Sequence, residues 1–195
     1  MEEFQEDEAV GTEVIRPDRV LEELLKSEES AREKEQESIM PVHAAKKRLF
    51  VFDELLRPSI LGRYLSKPHM EMIVKLVGFR LCFPKYFAPR KTGLASIERT
   101  NDSNDIVWGV TIDITNQDLT DLNRYKGAPD RYYLKSIWIK DRGDLRYPAV
   151  CYVVTVPDKE PSRPSKELLD DIVQGAIERM LPTEYVHFLR SIPVL

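Results

Sequence analysis

The sequence is poor in cysteine and histidine, and each shortage argues against a class of protein. It has 195 residues but only two cysteines, Cys82 and Cys151, which lie far apart in apolar segments. This pattern is typical of reduced, buried thiols rather than of a disulfide framework. The three histidines share no ligand-like spacing with each other or with the cysteines. We therefore expect no zinc or other metal site.

Long apolar runs and phosphate-binding loops are also missing. There is no run of about 18 apolar residues and no signal-peptide pattern, so we expect a soluble, cytoplasmic protein that does not insert into membranes. None of the eight glycines forms a phosphate-binding loop after a strand. Serine nucleophile elbows and a cysteine–histidine signature are absent as well. The usual motifs of nucleotide-binding enzymes and of hydrolases are thus not found.

Charge divides the chain into two segments. Residues 1–47 carry 14 acidic and 7 basic side chains, whereas residues 48–195 carry 19 acidic and 22 basic ones. The second segment is nearly balanced and has no dense basic stripe, so we expect no binding to nucleic acid. We interpret residues 1–47 as an acidic, partly disordered arm. Residues 48–195 are then the globular domain.

Within the arm, residues 18–37 predict a helix. Asp18 can cap it, and a short apolar stripe at helical spacing follows. The stripe consists of Val20, Leu21, Leu24 and Leu25. Beyond it, charges at i, i+4 spacing take over. The helix is therefore either a solvated, partly frayed element or a docking helix that packs on its own domain or on a protein partner.

Short strands and a few helices are predicted from residue 48 onward. Period-2 alternation or apolar runs predict strands at 49–55, 70–83, 93–99, 105–115, 132–140 and 147–156. Capping residues and helical periodicity predict helices at 115–127, 165–180 and 182–192. The pattern predicts an α+β fold, built as a small antiparallel β-barrel or curved sheet of about five or six strands with flanking helices.

Two carboxylates, Asp53 and Glu54, stand side by side at the end of the first predicted strand. Read from the residues alone, they form a solvated strand end. Lys126, near the end of the helix predicted at 115–127, is likewise interpreted as a surface lysine at a helix C-terminus, where a cation suits the helix dipole. Composition and periodicity alone indicate no more than an α+β domain with an acidic N-terminal arm.

The order of motifs in residues 48–195 resembles that of the γ-glutamylcyclotransferase-like (AIG2-like) family. The segments that carry the resemblance are LFVFDELL (49–56), LVGFRLCF (76–83), GLASIE (93–98), VWGVTIDIT (107–115), DLTDLNRYKG (118–127), RYY (131–133) and VQGAIERMLPTEYVHFL (173–189). The family resemblance implies cyclisation of γ-glutamyl amides to 5-oxoproline without a metal or cofactor. A glycine-rich loop would receive the substrate carboxylate, and a glutamate would take a proton from the substrate α-ammonium.

The sequence departs from this family pattern at both functional places. The family's Tyr-Gly-Ser/Thr loop corresponds to Phe52, Asp53 and Glu54, and its glutamate corresponds to Lys126. No catalytic set is therefore intact. The resemblance places Phe52, Asp53, Glu54, Leu55, Lys126 and Tyr133 around the pocket.

These departures predict a catalytically silent member that binds a small amino-acid-like ligand or acts as a protein-interaction module. The alternative is an active cyclotransferase-type enzyme with a rearranged acid/base site. If the fold is as inferred, Asp53 or Glu54 should face Lys126 within about 4 Å and narrow the pocket.

Overall fold

The computed structural model describes residues 47–66, 71–100 and 102–195. The acidic arm and its helix at 18–37 lie outside the described residues, so the predictions made for them stay predictions. Among the described residues, the predicted α+β fold is confirmed, and its sheet is a closed barrel.

Seven strands form two sheets in the described part of the chain. They are β1 (Lys47–Val51), β2 (Glu71–Val77), β3 (Phe79–Phe87), β4 (Thr92–Arg99), β5 (Ile106–Ile114), β6 (Tyr132–Asp141) and β7 (Arg146–Val154). The barrel has the order β1-β5-β2-β6-β7, and β3 and β4 form a separate two-stranded sheet. The barrel closes where β1, antiparallel to β5 on one edge, pairs in parallel with β7 on the other.

Four helices occur in the described part of the chain, and two of them follow predicted capping residues. They are α1 (Pro58–Leu61), α2 (Asn116–Lys126), α3 (Lys166–Glu178) and α4 (Thr183–Ser191). Thr115 and Asp118 form a reciprocal capping box at the start of α2, and Ser165 caps α3. Such caps satisfy backbone N–H groups that have no partner within the helix. No helix in the described residues is both long and apolar enough to cross a membrane.

One strand prediction is wrong. Residues 70–83 were expected to form a single strand, but they form β2 and β3, which belong to different sheets. The chain turns between them at Gly78, whose φ of +78° is open to glycine at little steric cost. The apolar alternation continues through the turn because each strand has one face on the core, so periodicity alone could not reveal the break.

Both faces of β1 are buried. Leu49, Phe50 and Val51 all belong to the buried core. The strand pairs with a barrel neighbour on each edge, and the residues that follow it pack against α3. A backbone held in this way leaves little freedom to the residues that come directly after it. Asp53 and Glu54 are those residues.

Candidate functional site

Asp53 and Glu54 are set in place by the short helical turn that follows β1. Residues Glu54–Leu56 form one turn of 3-10 helix, and Asp53 caps it by accepting a hydrogen bond from the backbone N–H of Leu55 at 3.0 Å. Both acids are buried, at 3% and 7% exposure. The interpretation of these residues as a solvated strand end is therefore wrong.

Lys126 comes from the opposite direction, as the last residue of α2. Gly127, the predicted stop of this helix, follows it in a left-handed conformation. Arg131 donates hydrogen bonds to the carbonyl oxygens of Tyr125 and Lys126, at 3.1 Å each, and so satisfies the helix end. The side chain of Lys126 turns inward and the residue is only 2% exposed, so its interpretation as a surface lysine is also wrong.

The three side chains meet in one cluster. Lys126 Nζ lies 2.5 Å from Asp53 Oδ2 and 2.9 Å from Glu54 Oε1. The contact that the sequence predicted is therefore present, and it involves both acids. Tyr125 donates its hydroxyl to Glu54 Oε1 at 3.2 Å, and the Tyr132 ring centre lies 4.8 Å from Nζ.

The surroundings hold Lys126 in its charged form. Burial opposes the charge, but Asp53 and Glu54 outweigh it and raise the pKa of the ammonium well above its ordinary value. Burial raises the pKa of Asp53 despite the attraction of Lys126. Burial also opposes ionisation of Glu54, yet Lys126 keeps the pKa of that carboxyl below its ordinary value. Of the two carboxyl groups, Asp53 is therefore the easier one to protonate.

The buried cluster is not electrically neutral by itself. Two carboxylates and one ammonium leave one negative charge in a region from which water is largely excluded. Arg90, whose guanidinium lies 5.3 Å from the centre of the Tyr125 ring, adds positive charge on the outer side, near Glu54. Burial of these charges has a desolvation cost in free energy, which is offset because each charge has an oppositely charged partner.

Little space remains around the cluster. The cleft beside it has a volume of about 20 Å³ and is lined by Glu54, Phe87, Arg90, Leu94, Tyr125, Lys126, Arg131 and Tyr132. A water molecule needs about 10–15 Å³, whereas small-molecule pockets usually measure about 300–1,000 Å³. The cleft can hold one water molecule and not a substrate-sized group.

The structure brings together only part of the predicted pocket. Phe52 and Leu55 are buried in the core and do not line the cleft. Tyr133 is 40% exposed, and Tyr132 lines the cleft instead. Placing Tyr133 in the pocket was wrong because successive side chains of a strand point to opposite faces. Because Tyr132 and Tyr133 are successive residues of one predicted strand, the sequence did indicate that only one of them could face the pocket.

A second, larger groove lies on another part of the domain. It has a volume of about 430 Å³ and is lined by Arg57, Leu169, Asp170, Val173, Gln174, Ile177 and Arg190. No pattern in the sequence indicated this groove. No group of histidine, cysteine and acidic side chains in the described residues could hold a metal ion.

Comparisons with known proteins give a family match over part of the chain and a similar fold. Residues 106–189 match the model of the AIG2-like family. This segment contains Lys126 but begins after Asp53 and Glu54. No curated protein sequence matches the chain.

Solved structures with a similar fold include one described as a gamma-glutamyl cyclotransferase. It has a TM-score of 0.69 and 22% identity over 77% of this chain and 90% of its own. An uncharacterized human protein has a TM-score of 0.69 and 23% identity, over 78% and 90%. A yeast gamma-glutamyl cyclotransferase specific to glutathione has a TM-score of 0.53 and 10% identity, over 75% and 94%.

Proposed function

Because residues 106–189 match the AIG2-like family and the described residues have a γ-glutamylcyclotransferase-like fold, we propose that the chain is a catalytically silent member of this family. In this proposal the protein is cytoplasmic and acts by binding a ligand or a protein partner. It does not cyclise γ-glutamyl amides. The observation that carries the proposal is the buried Lys126 ammonium, which is held by Asp53 and Glu54.

A protonated lysine cannot do the work of the family's glutamate. By resemblance, that glutamate removes a proton from the substrate α-ammonium so that the amine becomes a nucleophile. Lys126 has its pKa raised well above the ordinary value, so at neutral pH it is protonated and does not accept a proton from a substrate ammonium. Its charge would also repel the substrate ammonium. A desolvated lysine can act as a base only if its pKa falls, and the two acids have the opposite effect.

The loop after β1 supports the same conclusion. By resemblance, it should receive a substrate carboxylate, but Asp53 and Glu54 stand there as anions. At about 4 Å and an effective dielectric constant near 20, a like-charge contact costs on the order of 4 kcal/mol. That exceeds the net gain of about 1 kcal/mol from a typical hydrogen bond. The cleft of about 20 Å³ adds a steric barrier.

An active enzyme with a rearranged site is the second candidate. The observation in its favour is Asp53, whose pKa is raised by burial, as it is in many acid catalysts. Against it, Asp53 is buried beneath Lys126 and does not line the cleft. A substrate would reach this carboxyl only if the cluster opened.

The silent-member proposal predicts that the purified full-length protein releases no 5-oxoproline from γ-glutamyl amides. The assay should compare it with an active cyclotransferase, over a range of γ-glutamyl amines and γ-glutamyl amino acids. Protein-dependent 5-oxoproline formation that disappears in Lys126→Met would overturn the proposal and favour the rearranged enzyme.

Restoring the glutamate alone should not restore activity. In Lys126→Glu, a third carboxylate would stand beside Asp53 and Glu54 with no cation to balance it. We expect no 5-oxoproline and a lower unfolding midpoint than for Lys126→Gln, the matched neutral control. Cyclotransferase activity in the Lys126→Glu variant would show that the remainder of the catalytic machinery is intact.

We propose two alternative binding partners for the silent protein. One is a small amino-acid-like ligand, and the other is a protein partner that recognises residues 18–37. The size of the cleft favours the partner. A thermal-shift screen with γ-glutamyl compounds and free amino acids tests the first proposal. A small ligand that binds the folded protein should raise its unfolding midpoint in proportion to the logarithm of the ligand concentration.

A further inference from the structure

We propose that Lys126 and Asp53 react with each other to form an intramolecular amide bond, and that Glu54 carries a proton during the reaction. The bond would join the residues that follow β1 to the end of α2. It rests on the geometry of the cluster and not on the silent-member proposal. The bond could form whether the protein is catalytically silent or active.

The reacting atoms are already close. Lys126 Nζ lies 2.5 Å from Asp53 Oδ2, and a carbon–oxygen bond of about 1.2 Å then places Nζ within about 3.7 Å of Asp53 Cγ. Reacting atoms at about 3–3.5 Å, held in orientation, reach effective molarities of about 10⁵–10⁸ M. Both sides are fixed, because Asp53 caps the turn after β1 and Lys126 ends a capped helix.

The surroundings favour the uncharged product. In water, an ammonium and a carboxylate are too well hydrated to condense. Here both have lost most of their hydration, since Asp53 and Lys126 are buried. Condensation would remove two buried charges and leave Glu54 as a single carboxylate that accepts from Tyr125. The desolvation cost of the Lys126–Asp53 pair is thereby relieved, while Glu54 loses Lys126 as its cation and keeps the positive charge of Arg90 nearby.

The atoms balance without an oxidant or a further reactant. The ion pair is the main state, and the reaction starts from its minor neutral form, in which one proton of the Lys126 ammonium has passed along the short contact to the Asp53 carboxylate. The freed amine attacks Cγ, and Glu54 Oε1, at 2.9 Å from Nζ, takes a second proton as the carbon–nitrogen bond forms. Glu54 returns this proton to the departing hydroxyl, and the carbon–oxygen bond breaks. The products are an amide and one water molecule.

The cleft offers the water a place to go. Glu54 and Lys126 both line it, and its volume of about 20 Å³ suits one water molecule. The product water can therefore move from the cluster into this space.

Mass spectrometry of the full-length protein tests the proposal. The expected intact mass is lower than the sequence mass by one water molecule. Trypsin does not cut after an acylated lysine, so digestion should yield a branched peptide in which residues 49–63 are joined to residues 125–131. Fragmentation of this peptide should place the link on Asp53.

Two variants serve as controls. Lys126→Met removes the nucleophile and should show the full sequence mass. Glu54→Gln keeps the shape of the side chain but cannot shuttle a proton as a carboxylate does, so the linked fraction after equal incubation should fall at least about tenfold. Circular dichroism should show that Glu54→Gln is folded.

Three results would overturn the proposal. They are an unchanged mass in the folded wild-type protein, a loss of water that persists in Lys126→Met, and a link that maps to Glu54. None of them bears on the silent-member proposal, because the 5-oxoproline assay measures a different product.

Discussion

Replacement of Lys126 by methionine should destabilise the protein by about 3–5 kcal/mol, although it places an apolar side chain in a buried position. The expected loss follows from what remains, because Asp53 and Glu54 would be two buried carboxylates without their cation. Removal of one partner from a buried ion pair usually costs this much. Equilibrium unfolding in urea, followed by circular dichroism, measures it.

The pH dependence of this variant identifies the cause. Without Lys126, burial and mutual repulsion should raise the folded-state pKa of both acids above their unfolded values of about 4. The folded state then binds protons more tightly than the unfolded state, so the variant should gain stability as the pH falls from about 8 to about 5. The wild type should gain less, since burial raises the pKa of Asp53 but Lys126 lowers that of Glu54.

A triple variant provides the matched control. Lys126→Met combined with Asp53→Asn and Glu54→Gln removes all three charges at similar volume, and should recover most of the lost stability. A loss that remains in the triple variant, with no pH dependence in the single one, would assign the effect to packing. If the amide bond forms, the wild type also contains a cross-link, but the pH dependence of the variant still reports the two carboxylates alone.

The second large effect is expected at Gly109, in the middle of β5. A Cβ at this position would lie 2.2 Å from the carbonyl oxygen of Val51 and 2.7 Å from a ring carbon of Phe50. Both neighbours belong to β1, and the Val51 oxygen is backbone, so neither can move aside cheaply. Overpacking of this kind costs about 1–3 kcal/mol or more, and we expect Gly109→Ala to lie at the upper end or to fail to fold.

Gly143→Ala is the control for this substitution. Gly143 lies in the exposed turn between β6 and β7, where an added Cβ would be 3.4 Å from the Asp141 carboxylate. The change in free energy of unfolding there should stay within about 0.5 kcal/mol. Equal effects at Gly109 and Gly143 would show that the close approach of β1 to β5 is not required.

The sequence predicted those elements whose signals are local. Thr115 and Ser165 have side chains that bond to the first turn of a helix, and the structure shows both caps. The break at Gly78 was missed because one glycine within an alternating run does not say whether the chain turns. Sheet membership depends on distant partners, and no local pattern reveals those.

The contact between Lys126 and the acidic residues was predicted, but the burial of this contact was not. The expectation that Lys126 faces Asp53 or Glu54 came from the resemblance, which brings the end of β1 to the end of α2. Burial was not foreseen, because an acidic pair and a lysine are usually exposed. It depends on tyrosines at 125 and 132, and the choice between Tyr132 and Tyr133 requires the register of β6.

The pairing of β1 on both edges bears on how the cluster could ever open. Backbone amides in the interior of a closed barrel exchange with solvent mainly when the whole domain unfolds, whereas loops and fraying ends exchange by small local openings. Because Asp53 and Glu54 follow such a strand within three residues of Val51, they are not carried by a movable lid. A visiting molecule would therefore meet a backbone that stays in place, and it could reach the cluster only by displacing the side chains themselves.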